Sequence, residues 1–313
     1  MSTPTARTAL NRVQLQSIIN AITKHYPKEY ADNSWDNTGL LLDCSVPLNN
    51  NNNNNFATAT TTNITLPLPK ALLTVDLTQS VAQEAIDKGC SIIIAYHPFI
   101  FSGIKAILPS SLANPQHRSL IKLIQHNISV YCPHTAVDAA VGGVNDWLAE
   151  GLVRFQREKL AKVVCIEPVS SVDSDKIGYG RLVTLEEGGI TLSELLKNIK
   201  AALKLEHVQV SSNYGEIPPD RKIRRIALCA GSGSGVFKAL TAEQEESIDL
   251  FYTGELSHHE TLRLKEMGKI VVTCNHSNTE RGYVRTVMAD MLRREAVMNV
   301  IVSETDRDPL VVV

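Results

Sequence analysis

At 313 residues the chain exceeds a comfortable single domain, and its 43% hydrophobic and 20% charged composition supplies apolar material for substantial cores. A formal charge of −2 and a pI near 6.5 argue against nucleic-acid binding by general electrostatics, which wants a strongly basic domain. No run approaches the roughly 18 apolar residues of a membrane span, and no hydrophobic signal peptide opens the sequence, so neither a membrane nor nucleic acid is an expected partner.

The first 28 residues carry Arg7, Arg12, Lys24 and Lys28 and no acid, which is the composition of a mitochondrial transit peptide. Leu15, Ile18, Ile19 and Ile22 fall at helical spacing, and a retained amphipathic helix is the preferred reading. The localisation expected is cytoplasmic, with mitochondrial as the alternative. Six scattered cysteines without a C-x-x-C pair fit a reduced, intracellular protein with small buried thiols.

After a polar turn Ser34-Trp35-Asp36-Asn37-Thr38-Gly39 comes an apolar strand, then an asparagine tract from Asn49 to Asn55 inside a low-complexity insertion near 45–66. Such a segment cannot bury a core and is expected to be disordered. From Lys70 the pattern is α/β: a strand Ala71 to Val75, a helix Ser80 to Lys88, and the run Ser91-Ile92-Ile93-Ile94-Ala95, which fits a strand buried on both faces and ends in Tyr96-His97-Pro98. A helix Gln116 to His126 precedes the strand Ile128 to Cys132, which ends in Pro133-His134-Thr135-Ala136-Val137-Asp138.

Past Leu152 the candidate strands are Lys162 to Ile166, Arg181 to Leu185 and Val208 to Ser211, with a helix Thr191 to Leu203 and no ligand cluster. From Lys222 the α/β pattern resumes with Ile226 to Ala230, the turn Gly231-Ser232-Gly233-Ser234-Gly235, and Leu250 to Tyr252. Thr253-Gly254-Glu255-Leu256-Ser257-His258-His259 follows; the two histidines are either polar surface or neighbours of a site at the Glu255 strand end. A strand Lys269 to Cys274 leads into Asn275-His276-Ser277-Asn278-Thr279-Glu280-Arg281, then a helix from about Glu280 to Arg294 and a closing strand near Val297 to Val302. The division expected is an N-terminal α/β domain over 1–150 and a C-terminal α/β domain over 151–313, the latter with a variable section near 155–222.

Two strands therefore end in the same device, His134-x-x-x-Asp138 and His276-x-x-x-Glu280, with His97 at a third strand end. Imidazole and carboxylate repeated at strand ends are a mixed nitrogen and oxygen donor set suited to Zn, Mn or Fe ions rather than calcium. The competing reading of Ser277-x-x-Glu280 is a helix capping box. The glycine turn is not a dinucleotide fingerprint, since position 236 is valine, and a tight strand-to-helix turn is preferred over a phosphate cradle.

The ordered motifs Trp35-Asp36-Asn37-Thr38-Gly39-Leu40, Tyr96-His97-Pro98, His134-Thr135-x-x-Asp138, Gly231-Ser232-Gly233, Thr253-Gly254-Glu255-x-x-His258-His259 and Asn275-His276-Ser277-x-x-Glu280-Arg281 resemble the NGG-interacting-factor-three-like family, whose bacterial members carry the name GTP cyclohydrolase 1 type 2. The resemblance implies two α/β domains with mixed sheets, a dinuclear metal centre between them at strand carboxyl ends, and a homohexamer. It carries metal ligation onto His97, Asp138, His276 and Glu280. Where the family has two adjacent histidines before the proline, this chain has Tyr96, a poorer ligand, and His134 is the nearby substitute.

One or two divalent ions per chain are thus expected as cofactors, with Glu280 and His276 as the residues on which catalysis would depend. The resulting expectation is a metal-dependent hydrolase acting on a nucleotide ring or a phosphoester. The alternative is a non-catalytic metal-binding protein that partners a transcriptional adaptor, as the family name records.

Overall fold

The structure, a computed structural model, describes residues 9–47, 68–108, 114–169, 173, 175–213 and 217–313. The asparagine tract lies outside the described residues. The fold is mixed α/β, and the chain divides into two units that do not follow the expected boundary at residue 150. Described residues within 1–25, 36–133 and 287–306 make the first unit, and those within 26–35, 134–286 and 307–313 make the second.

The physical reason lies at the end of the chain. The strand Asn299–Val302 pairs in parallel with Lys70–Thr74, Val300 opposite Ala71, so the last strand returns to the first sheet. That sheet runs Gly39–Leu42, Ser129–Cys132, Ile92–Ala95, Lys70–Thr74, Asn299–Val302, with the first pair antiparallel and the others parallel. Ile92, Ile93 and Ile94 are wholly buried, as a strand covered on both faces requires. Helices Gln79–Asp87 and Pro115–Gln125 begin at the side-chain caps Thr78 and Asn114. Val81, Ala85, Leu120 and Leu123 join Leu72, Ile93 and Val130 in one core. The N-terminal stretch forms the helix Arg12–Thr23, opened by a capping box between Asn11 and Gln14, and buries Leu15, Ile18 and Ile22.

The second unit's six-stranded sheet runs Gln209–Ser211, Ile270–Thr273, Leu250–Glu255, Arg225–Ser232, Arg181–Leu185, Leu160–Val164. Its three central strands are mutually parallel and the flanking pairs antiparallel, which makes the sheet mixed. Because the central strands point the same way, their carboxyl ends at Ser232, Glu255 and Thr273 come out on one edge, where open α/β sheets hold ligands. Ala227, Phe237, Phe251, Leu264 and Val271 form the core beneath.

Two local expectations need correction. The Ile226 to Ala230 strand runs on through Gly231 to Ser232, and the helix after it, Ser234–Phe237, is a single turn. The helix expected from Glu280 to Arg294 is interrupted. Asn278–Tyr283 is α-helical, Val284–Met288 is a π-turn, and Ala289–Glu295 is α-helical again. Such a bulge inside a helix is one of the recognised local devices near functional sites.

Candidate metal centre

The opening on the second unit's sheet edge is lined by His134, Asp138, His276 and Glu280, four of the five residues expected to ligate metal. Asp138 comes from the short helix His134–Ala139, which follows the Ser129–Cys132 strand. Its backbone carbonyl accepts a hydrogen bond from Asn145 Nδ2 (3.0 Å), while Asn145 Oδ1 accepts from the Ala230 N–H (2.8 Å). One wholly buried asparagine therefore ties the Asp138 helix to the end of the central strand.

His276 is placed by the loop after Ile270–Thr273. Asn275 takes a left-handed φ of 64°, which turns the chain sharply and which asparagine tolerates better than most residues. Gly231 N–H donates to Thr279 Oγ1 (2.8 Å), and Thr279 Oγ1 donates to the His276 carbonyl (2.7 Å), so the loop is laced onto the Gly231 strand end. His276 Nδ1 lies 2.9 Å from Glu255 Oε1, and its Nε2 lies 3.4 Å from Glu280 Oε1. Glu280 is 2% exposed.

These distances carry the fit to a metal. The 3.4 Å separation exceeds an ordinary N–H···O hydrogen bond, and two donors each about 2.1 Å from a tetrahedral ion stand about 3.4 Å apart. A carboxylate on the far nitrogen, as Glu255 is on His276, is the usual means of fixing a ligating imidazole and raising its basicity. Gly231, at φ 60°, leaves the room: a Cβ there would stand 2.7 Å from His276 Nε2 and 2.8 Å from Glu280 Oε1. The residues present therefore suit a borderline divalent ion.

The capping-box reading of Ser277 does not hold. Ser277 is the N-cap of Asn278–Tyr283 but makes no side-chain cap bond; its hydroxyl donates to Asp308 Oδ2 at 2.8 Å. Glu280 is turned to His276 instead.

His134 also lines the opening and meets the Trp35 ring edge-to-face at 5.7 Å. Cys229 lines it too, its thiol pushed well above its ordinary pKa by burial first and by the Asp138 and Glu280 carboxylates next. His258 and His259 are exposed on the first turn of His258–Glu266 and do not line the opening. The middle section, expected to hold no ligand cluster, contributes Glu167 and Tyr179 to its wall.

His97 belongs to the first unit, at the end of the Ile92–Ala95 strand. Its Nδ1 lies 2.9 Å from Asp76 Oδ1, the same carboxylate–imidazole pairing found at His276. Tyr96 beside it is buried, its ring edge-on to His97 at 5.3 Å. Asp76 and Glu255 are the parts of these arrangements that motif spacing hides least well: each stands at or just past the end of a strand parallel to the histidine's own.

The sequence matches the profile of the family described as Duf34/NIF3 (NGG1p interacting factor 3) over residues 13–309. The chain belongs to this family. It is 52% identical over 305 residues to the NGG1-interacting factor 3 of Saccharomyces cerevisiae, covering 97% of this chain and 99% of that one. It is 30% identical to human NIF3-like protein 1, covering 96% and 93%. Among solved structures, a Bacillus cereus protein related to NIF3 superposes with a TM-score of 0.72 at 19% identity, over 95% of this chain and 98% of the other. Reduced HcgD from Methanocaldococcus jannaschii gives 0.70 at 21%, over 95% and 100%. At these identities the structural likeness speaks for the fold alone.

Proposed function

We propose that this NIF3-family chain binds divalent metal at the second unit's sheet edge and acts as a metal-dependent hydrolase on a nucleotide ring or phosphoester. The observation that carries the reading is His276, held by Glu255 on one nitrogen and facing Glu280 with the other. His276, Glu280 and Asp138 are the ligands assigned, with His134 the weaker candidate. His97, which lies in the first unit, stays in the proposal as a ligand on the strength of the family resemblance alone.

A bound divalent ion would supply hydroxide at neutral pH by lowering the pKa of its water. The chain's own residues do the rest. Glu255 keeps His276 in the tautomer whose Nε2 is the donor, Gly231 keeps the approach open, and Asn145 and Thr279 fix the two arms. A second ion and a homohexameric assembly belong to the proposal on the strength of the family resemblance. A cytoplasmic location, with mitochondrial as the alternative, belongs to it on the scattered cysteines and the basic N-terminal stretch.

The second reading, a non-catalytic interaction protein, is favoured by the name of the yeast relative, which records interaction with NGG1. Purified protein loaded with Mn, Zn or Fe ions and offered GTP and phosphoester substrates separates the two. Turnover that Glu280→Gln abolishes supports the hydrolase; no turnover under any metal supports the interaction protein.

A further inference from the structure

The wall around the metal ligands has its own chemistry. Trp35 lines the opening yet is 55% exposed, an unusual state for so large an apolar side chain. It is also tightly held. Its Nε1–H donates to Asp32 Oδ2 (2.7 Å), Asp32 Oδ1 accepts from the Ser34 N–H and hydroxyl (3.0 and 2.6 Å), and the Asp32 N–H donates to Thr135 Oγ1 (3.0 Å). With the indole N–H engaged by Asp32 and the ring set perpendicular to His134, the part of the side chain left to the opening is its aromatic ring carbon surface. A rigid aromatic face is the low-entropy contact by which proteins hold flat rings.

The charge around it selects among flat rings. Asp32, Asp138, Glu167 and Glu280 line the opening, and among the described lining residues none is Lys or Arg. Asp138 and Glu280 are assigned to the metal and Asp32 to Trp35, which leaves Glu167, exposed on the wall, to meet a ligand. An ionised carboxylate only accepts hydrogen bonds, so its partner must present N–H donors. The same wall offers a phosphate no cationic side chain and repels it.

We propose that Trp35 is the stacking platform for a flat, amino-bearing heteroaromatic ring, a nucleobase or its nucleoside, with Glu167 accepting from the ring's N–H edge. Among the described lining residues there is no Lys or Arg to pair with a phosphate. This rests on the proposed function for the neighbouring metal, and narrows its substrate from phosphoesters to the ring itself.

The chain has two tryptophans. In a Trp147→Phe background, which removes the second, largely buried indole (8% exposed), fluorescence reports Trp35 alone. Guanosine, adenosine, uridine and GTP are titrated into the full chain with chelator present, and calorimetry repeats the measurement for Trp35→Leu and Glu167→Gln in the wild-type background. Saturable quenching by the amino-bearing nucleosides is expected, with affinity falling about tenfold in Trp35→Leu. Glu167→Gln should weaken guanosine more than uridine, and GTP should bind more weakly than guanosine while metal is withheld. No saturable binding up to the solubility limit, unchanged affinity in Trp35→Leu, or GTP binding tighter than guanosine in chelator would overturn the proposal. Elemental analysis keeps the two ideas apart: nucleoside binding without stoichiometric metal sinks the metal assignment alone, and metal without nucleoside binding sinks this one alone.

Discussion

Glu255 Oε1 stands 2.9 Å from His276 Nδ1, and this pairing leaves the other imidazole nitrogen directed to Glu280. If the pairing orients a metal ligand, Glu255→Ala should weaken metal binding about 10–100-fold while the fold persists, because Glu255 is exposed and packs no core. A competitive chelator titration measures it. Unchanged affinity would mean that the imidazole needs no such support.

Gly231 makes a sharper case. Alanine there meets His276 Nε2 and Glu280 Oε1 at under 3 Å and must also adopt φ 60°, a conformation costing about 1 kcal/mol for a residue with a Cβ. Gly231→Ala should lower the melting temperature only modestly yet strip most of the bound metal. Full metal content in a folded Gly231→Ala protein would show that the space in front of the two donors is not where an ion sits.

Away from the site, Glu84 holds the segment after the last strand. Burial alone would raise its pKa, but hydrogen bonds from Lys88, Ser303, the Glu304 N–H and Thr305 outweigh burial and bring it from 4.5 down to about 2. A depressed carboxylate contributes stability that is fully present above pH 4.5 and fades as pH falls toward 2. Glu84→Gln should therefore cost about 1.5–3 kcal/mol at neutral pH, with the difference from wild type shrinking through that acid window in denaturant melts. A difference that stays constant with pH would contradict the charge's role.

Much of this arrangement can be read from residue order. Ile92-Ile93-Ile94-Ala95 announces a buried strand, and the two His-x-x-x-carboxylate devices at strand ends do line one opening. What residue order hides is set by distant pairing. The return of Asn299–Val302 to the first sheet moves the unit boundary, because Val300 finds its partner at Ala71. Glu167 reaches the opening from a section with no motif of its own. Ser277 shows a local rule losing to tertiary context: its spacing to Glu280 spells a cap, but Asp308 takes its hydroxyl.

Tyr96 tests the departure from the family pattern. A phenol with an unperturbed pKa of about 10 is a poor ligand at neutral pH. Metal per chain in the wild type should fall short of two, and Tyr96→His should raise it. Equal and full occupancy in both proteins would show Tyr96 to be no handicap.

The central claim is that His276 and Glu280 hold a divalent ion, and metal content per chain tests it most directly. Elemental analysis of protein loaded with Mn, Zn or Fe ions and then desalted should find at least one ion per chain in the wild type. His276→Ala and Glu280→Gln should each lose it while circular dichroism shows both proteins folded. A wild type without stoichiometric metal, or variants that keep the full complement, would contradict the account.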